Sequence, residues 1–126
     1  MKNIINTKNA PAPIGPYNQS VKIGNILLIS GQIALLPETM ELVKGGVKEE
    51  THQVMKNIGA ILKEAGLEYS NIAKASIFCK DLGDFSEINE IYGSYFKSDF
   101  PARECVEVSR LPKDVAVEIS VIAEVN

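Results

Sequence analysis

Apolar and polar residues follow two different periods along this chain, and the places where the period changes divide it into strands and helices. Residues 21–23 and 26–30 are apolar-rich runs flanking Gly24-Asn25, a pair that tolerates positive φ and so predicts a tight hairpin turn. Ahead of them, Pro11, Pro13, Gly15 and Pro16 fix φ or remove donors and predict an extended loop that leads Tyr17 to the mouth of a sheet. The strand pattern breaks at Gly31 and again near Pro37. Over residues 49–65 the period lengthens: Val54, Ile58, Ile61, Leu62 and Ala65 recur at helical spacing, and Gly66 follows as a stop. His52, roughly 200° from Val54 around that axis, faces solvent in this reading.

Residues 72–80 read as a buried strand with Ile77 and Phe78 on opposite faces. A second helix opens at Asp84, where Asp-Phe-Ser-Glu resembles a capping box, and Phe85, Ile88, Ile91, Tyr92, Tyr95 and Phe96 form its apolar stripe with Asn89 beside it. Two more strands, 103–109 and 115–125, are joined by Leu-Pro-Lys-Asp and read as a hairpin. The order predicts one α+β domain spanning 1–126, with two helices on one face of a mixed sheet.

Alternation assigns faces within that last hairpin. Val106 and Val108 fall with Val115, Val117 and Ile119 on the helix-covered face, leaving Arg103, Cys105 and Glu107 on the other with Glu118 and Ser120. In this register Cys105 lies opposite Glu118 and Arg103 is diagonal to it. The uncovered face is too apolar and too rich in small residues for bare solvent, so a second subunit is expected to cover it. Arg103 and Glu118 then form either a cross-strand salt bridge or a carboxylate receptor beside a proton-handling group in a partly dry cleft.

Composition narrows the partners. The chain has 126 residues, 45% apolar and 23% charged, with a net charge of −3. Acidic and basic residues are mixed, with no Lys/Arg run to neutralise a phosphate backbone, which disfavours nucleic acid as the main partner. No segment approaches the ~20 apolar residues that span a bilayer, and the first residues lack a signal-like apolar core, so a cytoplasmic protein is expected. Cys79 and Cys105 form no CxxC pair, and with a single histidine they make no metal-ligand set, so no catalytic metal is expected.

Four blocks then carry a resemblance over essentially the whole chain: IGPYNQS near the start, ISGQIAL after the first hairpin, CKDLGDFSEINEIY, and PARECVEVSRLPKDVAVEISVIAEV from Pro101 to Val125. In this order they resemble the Rid/YjgF family of reactive intermediate deaminases. The resemblance implies a chorismate-mutase-like subunit, a homotrimer around a central barrel, and three sites in clefts between subunits. It implies that Arg103 binds a substrate carboxylate and Glu118 orients water and moves protons. Tyr17, Ser30, Gly31 and Asn89 would line the pocket, with backbone groups near Gly31 and Cys105 holding the water or the imine. The implied reaction is hydrolysis of short 2-imino acids, formed from 2-aminoacrylate or 2-aminocrotonate, to 2-keto acids and ammonia. Cys105 lacks a histidine partner to activate it as a nucleophile, which favours a packing and backbone role. Two departures stand out: the connection between Tyr95 and Phe100 is short, which bears on substrate range, and Glu104 replaces a residue that is often small. A ribonuclease or translation inhibitor is the competing activity, and a non-catalytic keto-acid binder or chaperone is a third reading.

Overall fold

The structure, a computed structural model, describes residues 1–126. Strands β1 (Lys2–Ile5), β2 (Ser20–Ile23), β3 (Ile26–Gln32), β4 (Ile72–Cys79), β5 (Ala102–Glu107) and β6 (Val117–Glu124) form one sheet. Their order is β1-β2-β3-β6-β4-β5, and helices α1 (Val47–Glu64) and α2 (Phe85–Gly93) lie on one face of it.

The first hairpin forms where the pattern predicts. Ile23 pairs with Ile26, and Gly24 takes φ 59°, a conformation that costs a glycine little. The sheet also gains β1, a strand the sequence reading does not assign: Lys2–Ile5 pairs antiparallel with β2. β3 does not stop at Gly31 but runs on to Gln32 through a β-bulge, where Ser30 and Gly31 together face Ser120 of β6.

The helices follow their apolar stripes. On α1, Val54, Met55, Ile58, Ile61 and Leu62 are fully buried against Leu27, Ile77, Ile119 and their neighbours. His52 does not face solvent as expected: it is half-buried, with Nδ1 2.9 Å from the Tyr95 hydroxyl. Helix α2 ends at Gly93, so Tyr95 and Phe96 follow it rather than extend it. Asp84 is its N-cap without a side-chain hydrogen bond; instead Asp81 accepts from the Gly83 N–H at 2.8 Å in a preceding 3-10 turn.

The expected last hairpin is absent. β4, α2 and β5 form a crossover, so β5 lies parallel to β4 at the sheet edge, while β6 inserts antiparallel between β3 and β4. The burial pattern explains the choice. Val117, Ile119, Val121 and Ala123 are fully buried or nearly so, as a central strand requires, whereas the Arg-Glu-Cys-Val-Glu run of β5 suits an exposed edge. The faces of β6 are as expected, but the pairing inverts those of β5. Arg103 sits beside Ala75 and Cys105 beside Ile77, both on the helix side, while Val106 aligns through Phe78 with Glu118 on the other side. No helix is long and apolar enough to cross a membrane.

Candidate functional site

The candidate residues gather in two places. The first is a cleft on the helix-free side of β3 and β6. The bulge at Ser30 and Gly31 opens the backbone there, and the Glu118 side chain lies over Gly31 so closely that a Cβ on Gly31 would stand 2.8 Å from Oε2. Only glycine accommodates that approach without moving the carboxylate. Glu118 makes no ion pair or hydrogen bond within the chain, and its half-burial raises its pKa above the ordinary carboxylate value.

Tyr17 and the loop before it form the opposite wall, with Pro11, Ala12 and Ile14. The Tyr17 hydroxyl accepts from the Ile14 N–H at 3.2 Å. Ser30 is tied down by its hydroxyl donating to the Asn18 carbonyl at 2.6 Å and its N–H to the Gln19 carbonyl at 2.9 Å. The wall is held by Gln19, fully buried, whose amide accepts from the Thr7 N–H at 2.6 Å and donates to the carbonyls of Thr7, Ala10 and Pro11 at 2.8–3.1 Å. Sequence reasoning missed Gln19. A lone amide beside a proline-rich loop carries no signal until the loop is seen to need donors and acceptors.

The second place is on the helix side of the sheet edge. Arg103 projects from β5 under α2, where its Nη1 donates to the Asn89 Oδ1 and its guanidinium carbon lies 5.4 Å from the Phe85 ring centroid and 5.5 Å from that of Tyr92. Tyr92, Phe100 and Pro101 complete the hollow around Asn89 and Arg103. Phe85 and Tyr92 read from the sequence as core, and their place against Arg103 becomes visible only once β5 is known to return beside α2.

Within one chain the two places do not meet. Glu118 and Arg103 project from opposite sides of the sheet with β4 between their strands. Their Cα atoms stand about 14 Å apart by strand spacing and rise. The salt-bridge reading therefore fails, and so does the register that set Cys105 opposite Glu118. Cys105 packs against the core next to Cys79, whose thiol is pushed up to about 11 by burial and by Cys105. Glu104, directed the other way from Arg103, lies on the helix-free side, bonded to Ser76 and 3.2 Å from the Lys74 ammonium. No group of three or more His, Cys, Asp or Glu side chains is placed to hold a metal ion.

The contact between Gly31 and Glu118 yields a direct test. Gly31→Ala is expected to fold, because the atoms it meets are the flexible end of a side chain, but to swing the carboxylate out of the cleft. Any activity that depends on Glu118 should drop ~10-fold or more with the melting temperature little changed. Unchanged activity would mean that the carboxylate's resting position is immaterial.

Comparison with known proteins adds a family and several relatives. Residues 7–125 match the family model described as endoribonuclease L-PSP. A RutC family protein of Pyrococcus horikoshii is 53% identical over 98% of each chain. The human protein named 2-iminobutanoate/2-iminopropanoate deaminase is 46% identical over 98% of this chain and 90% of its own. A crystal structure of a Rid-family protein of unknown function from Yersinia pestis superposes with a TM-score of 0.97 at 48% identity, covering 99% of this chain and 100% of the other.

Proposed function

The chain belongs to the Rid/YjgF family, the family described as endoribonuclease L-PSP, and on that premise we propose that it hydrolyses short 2-imino acids to 2-keto acids and ammonia in clefts shared between copies of itself. The observation that carries the reading is the division of the site. Glu118, with Gly31 and Tyr17, lies on one side of the sheet, Arg103 with Asn89 on the other, so only a neighbouring copy can bring the two groups to one ligand.

The helix-free side supports such an assembly. Ile4, Ile23, Ile26, Leu28, Val106 and Ile122 all project from it and are between 39% and 55% exposed. Ile4, Ile23, Ile26, Leu28 and Ile122 lie together on β1, β2, β3 and β6, the kind of exposed apolar patch that another subunit covers. Packing that face around a threefold axis gives a homotrimer with three equivalent clefts.

The chemistry suits the parts. Arg103 holds the substrate carboxylate with a guanidinium fork, which fixes C2 relative to the opposite wall. Glu118, as the carboxylate, accepts a proton from a water as the water oxygen adds to C2 of the imine. The same group returns that proton to the nitrogen, giving a carbinolamine; it then takes the proton of the new C2 hydroxyl and delivers it to the amine, so that the C–N bond breaks, the C2 carbonyl forms and ammonia leaves. An imine is electrophilic enough that a bound carboxylate, a placed water and one proton carrier suffice. Gly31 lines the hollow beside Glu118, with Ser30 next to it in the bulge, where water and imine would sit; the backbone near Cys105 would come to that space with the Arg103 side of the neighbouring copy.

The family's ribonuclease description motivates a second reading, and two observations weigh against it: the net charge of −3, and the engagement of the only histidine, His52, with Tyr95 away from both halves of the site. One experiment separates the two. A pyridoxal-phosphate dehydratase generates 2-aminoacrylate in situ, and ammonia release is followed with and without this protein, with RNA cleavage assayed in parallel. Accelerated imine decay without RNA cleavage is expected; unaccelerated decay would refute the deaminase reading.

A further inference from the structure

We propose that the face of α2 bearing Phe85, Asn89 and Tyr92 is a cradle that fixes the plane of Arg103, with Phe85 and Tyr92 acting as positioning residues for carboxylate recognition. The proposal rests on the reading of Arg103 as the group that binds the substrate carboxylate.

Positions 85, 89 and 92 are spaced i, i+4, i+7, which places them within an arc of about 60° on one side of a helix. All three meet the same guanidinium. Asn89 Oδ1 accepts from Nη1, and the rings of Phe85 and Tyr92 approach the guanidinium carbon at 5.4 and 5.5 Å, within the range at which a ring quadrupole attracts a cation. Without them, an arginine on an exposed edge strand would sample many rotamers, and carboxylate binding would have to order it. The hydrogen bond in the plane and the rings that pack on the group restrict both rotation and tilt.

The arrangement also selects which edge of the guanidinium is offered. Asn89 occupies Nη1, and no other group of this chain bonds to the guanidinium, so the edge formed by Nε and Nη2 is free for a bidentate carboxylate. Tyr92 is almost wholly buried and its hydroxyl has no partner within the chain, so its ring, rather than its polar tip, is what the cradle uses. Phe85 is 37% exposed, which makes it the position to alter without opening the core.

The test uses Phe85→Leu, which keeps an apolar side chain but removes the ring face, and Phe85→Tyr, which keeps the ring. Three quantities are read for each intact assembly: affinity for 2-oxobutanoate by calorimetry, KM and kcat for imine hydrolysis, and the order of the Arg103 Nε–H by 15N relaxation in the ligand-free protein. Phe85→Leu should weaken 2-oxobutanoate binding and raise KM by ~3- to 5-fold with kcat kept, and should increase Arg103 Nε–H motion. Phe85→Tyr should restore all three. Equal affinity in Phe85→Leu, or weaker affinity with Arg103 order unchanged, would overturn the cradle, the second result pointing to direct contact between Phe85 and ligand. If the unmodified protein binds no 2-keto acid, the reading of Arg103 itself fails and the cradle falls with it, an outcome already seen before any variant is made.

Discussion

Glu118→Gln is expected to fold, assemble and bind 2-keto acid nearly as the unmodified protein does, while hydrolysing imine ~10²-fold or more slowly, the scale of a lost general acid–base. The substitution keeps the shape that lies over Gly31 and removes only the capacity to take up and return a proton. No cation in the chain pairs with Glu118, so its neutralisation leaves no buried positive charge behind. The pH dependence follows from the same burial. Desolvation raises the Glu118 pKa, so the group takes up its proton at a higher pH than an exposed carboxylate does. The carboxylate must be ionised to accept a proton from water, so kcat/KM should rise with pH through an acid limb lying above the ordinary carboxylate range. In Glu118→Gln that limb should vanish. Wild-type turnover in the variant, or an acid limb that persists in it, would remove Glu118 from the reaction.

What the sequence made legible was local. The Gly24-Asn25 turn, the stripe of α1 and the stop at Gly66 depend on a few neighbouring residues, and the structure has them where the pattern places them. The pairing of β5 was not local. Alternation states which residues of a strand share a face, but says nothing about which strand lies next to it. The short Leu-Pro-Lys-Asp connection looks like a hairpin although it carries the chain past the end of β4. Two features did point to the observed order: a helix between β4 and β5, which permits a parallel crossover, and the uninterrupted apolar alternation of β6, which suits a central strand. β1 escaped notice because Lys2–Ile5 is exposed on most of its length and carries no strong period.

The candidate site could be picked out by residue type but not by geometry, for the same reason. Arg103, Glu118, Tyr17, Ser30, Gly31 and Asn89 each border one of the two hollows or lie beside it. The expected Arg103–Glu118 neighbourhood within one sheet does not exist, because β4 intervenes and the two side chains take opposite faces. That correction sharpens the role proposed for a second copy: alternation alone gives it a covering role and the resemblance implies sites in clefts between subunits, whereas in the proposed assembly it would supply one of the two groups.

Mixing two inactive variants should therefore restore activity. Arg103→Ala removes the carboxylate fork and should lower kcat/KM by about 10²-fold or more, since one member of a charge-assisted pair is lost. Glu118→Gln removes the proton carrier. Homogeneous assemblies of either variant have every cleft defective. When the two are co-expressed in equal amounts, each cleft takes its Glu118 side from one subunit and its Arg103 side from the next. A cleft is intact when the first subunit carries Arg103→Ala and the second Glu118→Gln. Random assembly around a ring makes about a quarter of the clefts intact, so the mixture should recover about a quarter of wild-type turnover. Mixing the two purified proteins without subunit exchange should recover none, which separates shared clefts from a trivial additive effect. A site contained in one chain predicts the opposite, because every subunit in the mixture still carries one of the two defects. Co-expressed assemblies no more active than the separate variants would mean that Arg103 and Glu118 do not serve one ligand across an interface, whatever the oligomeric state.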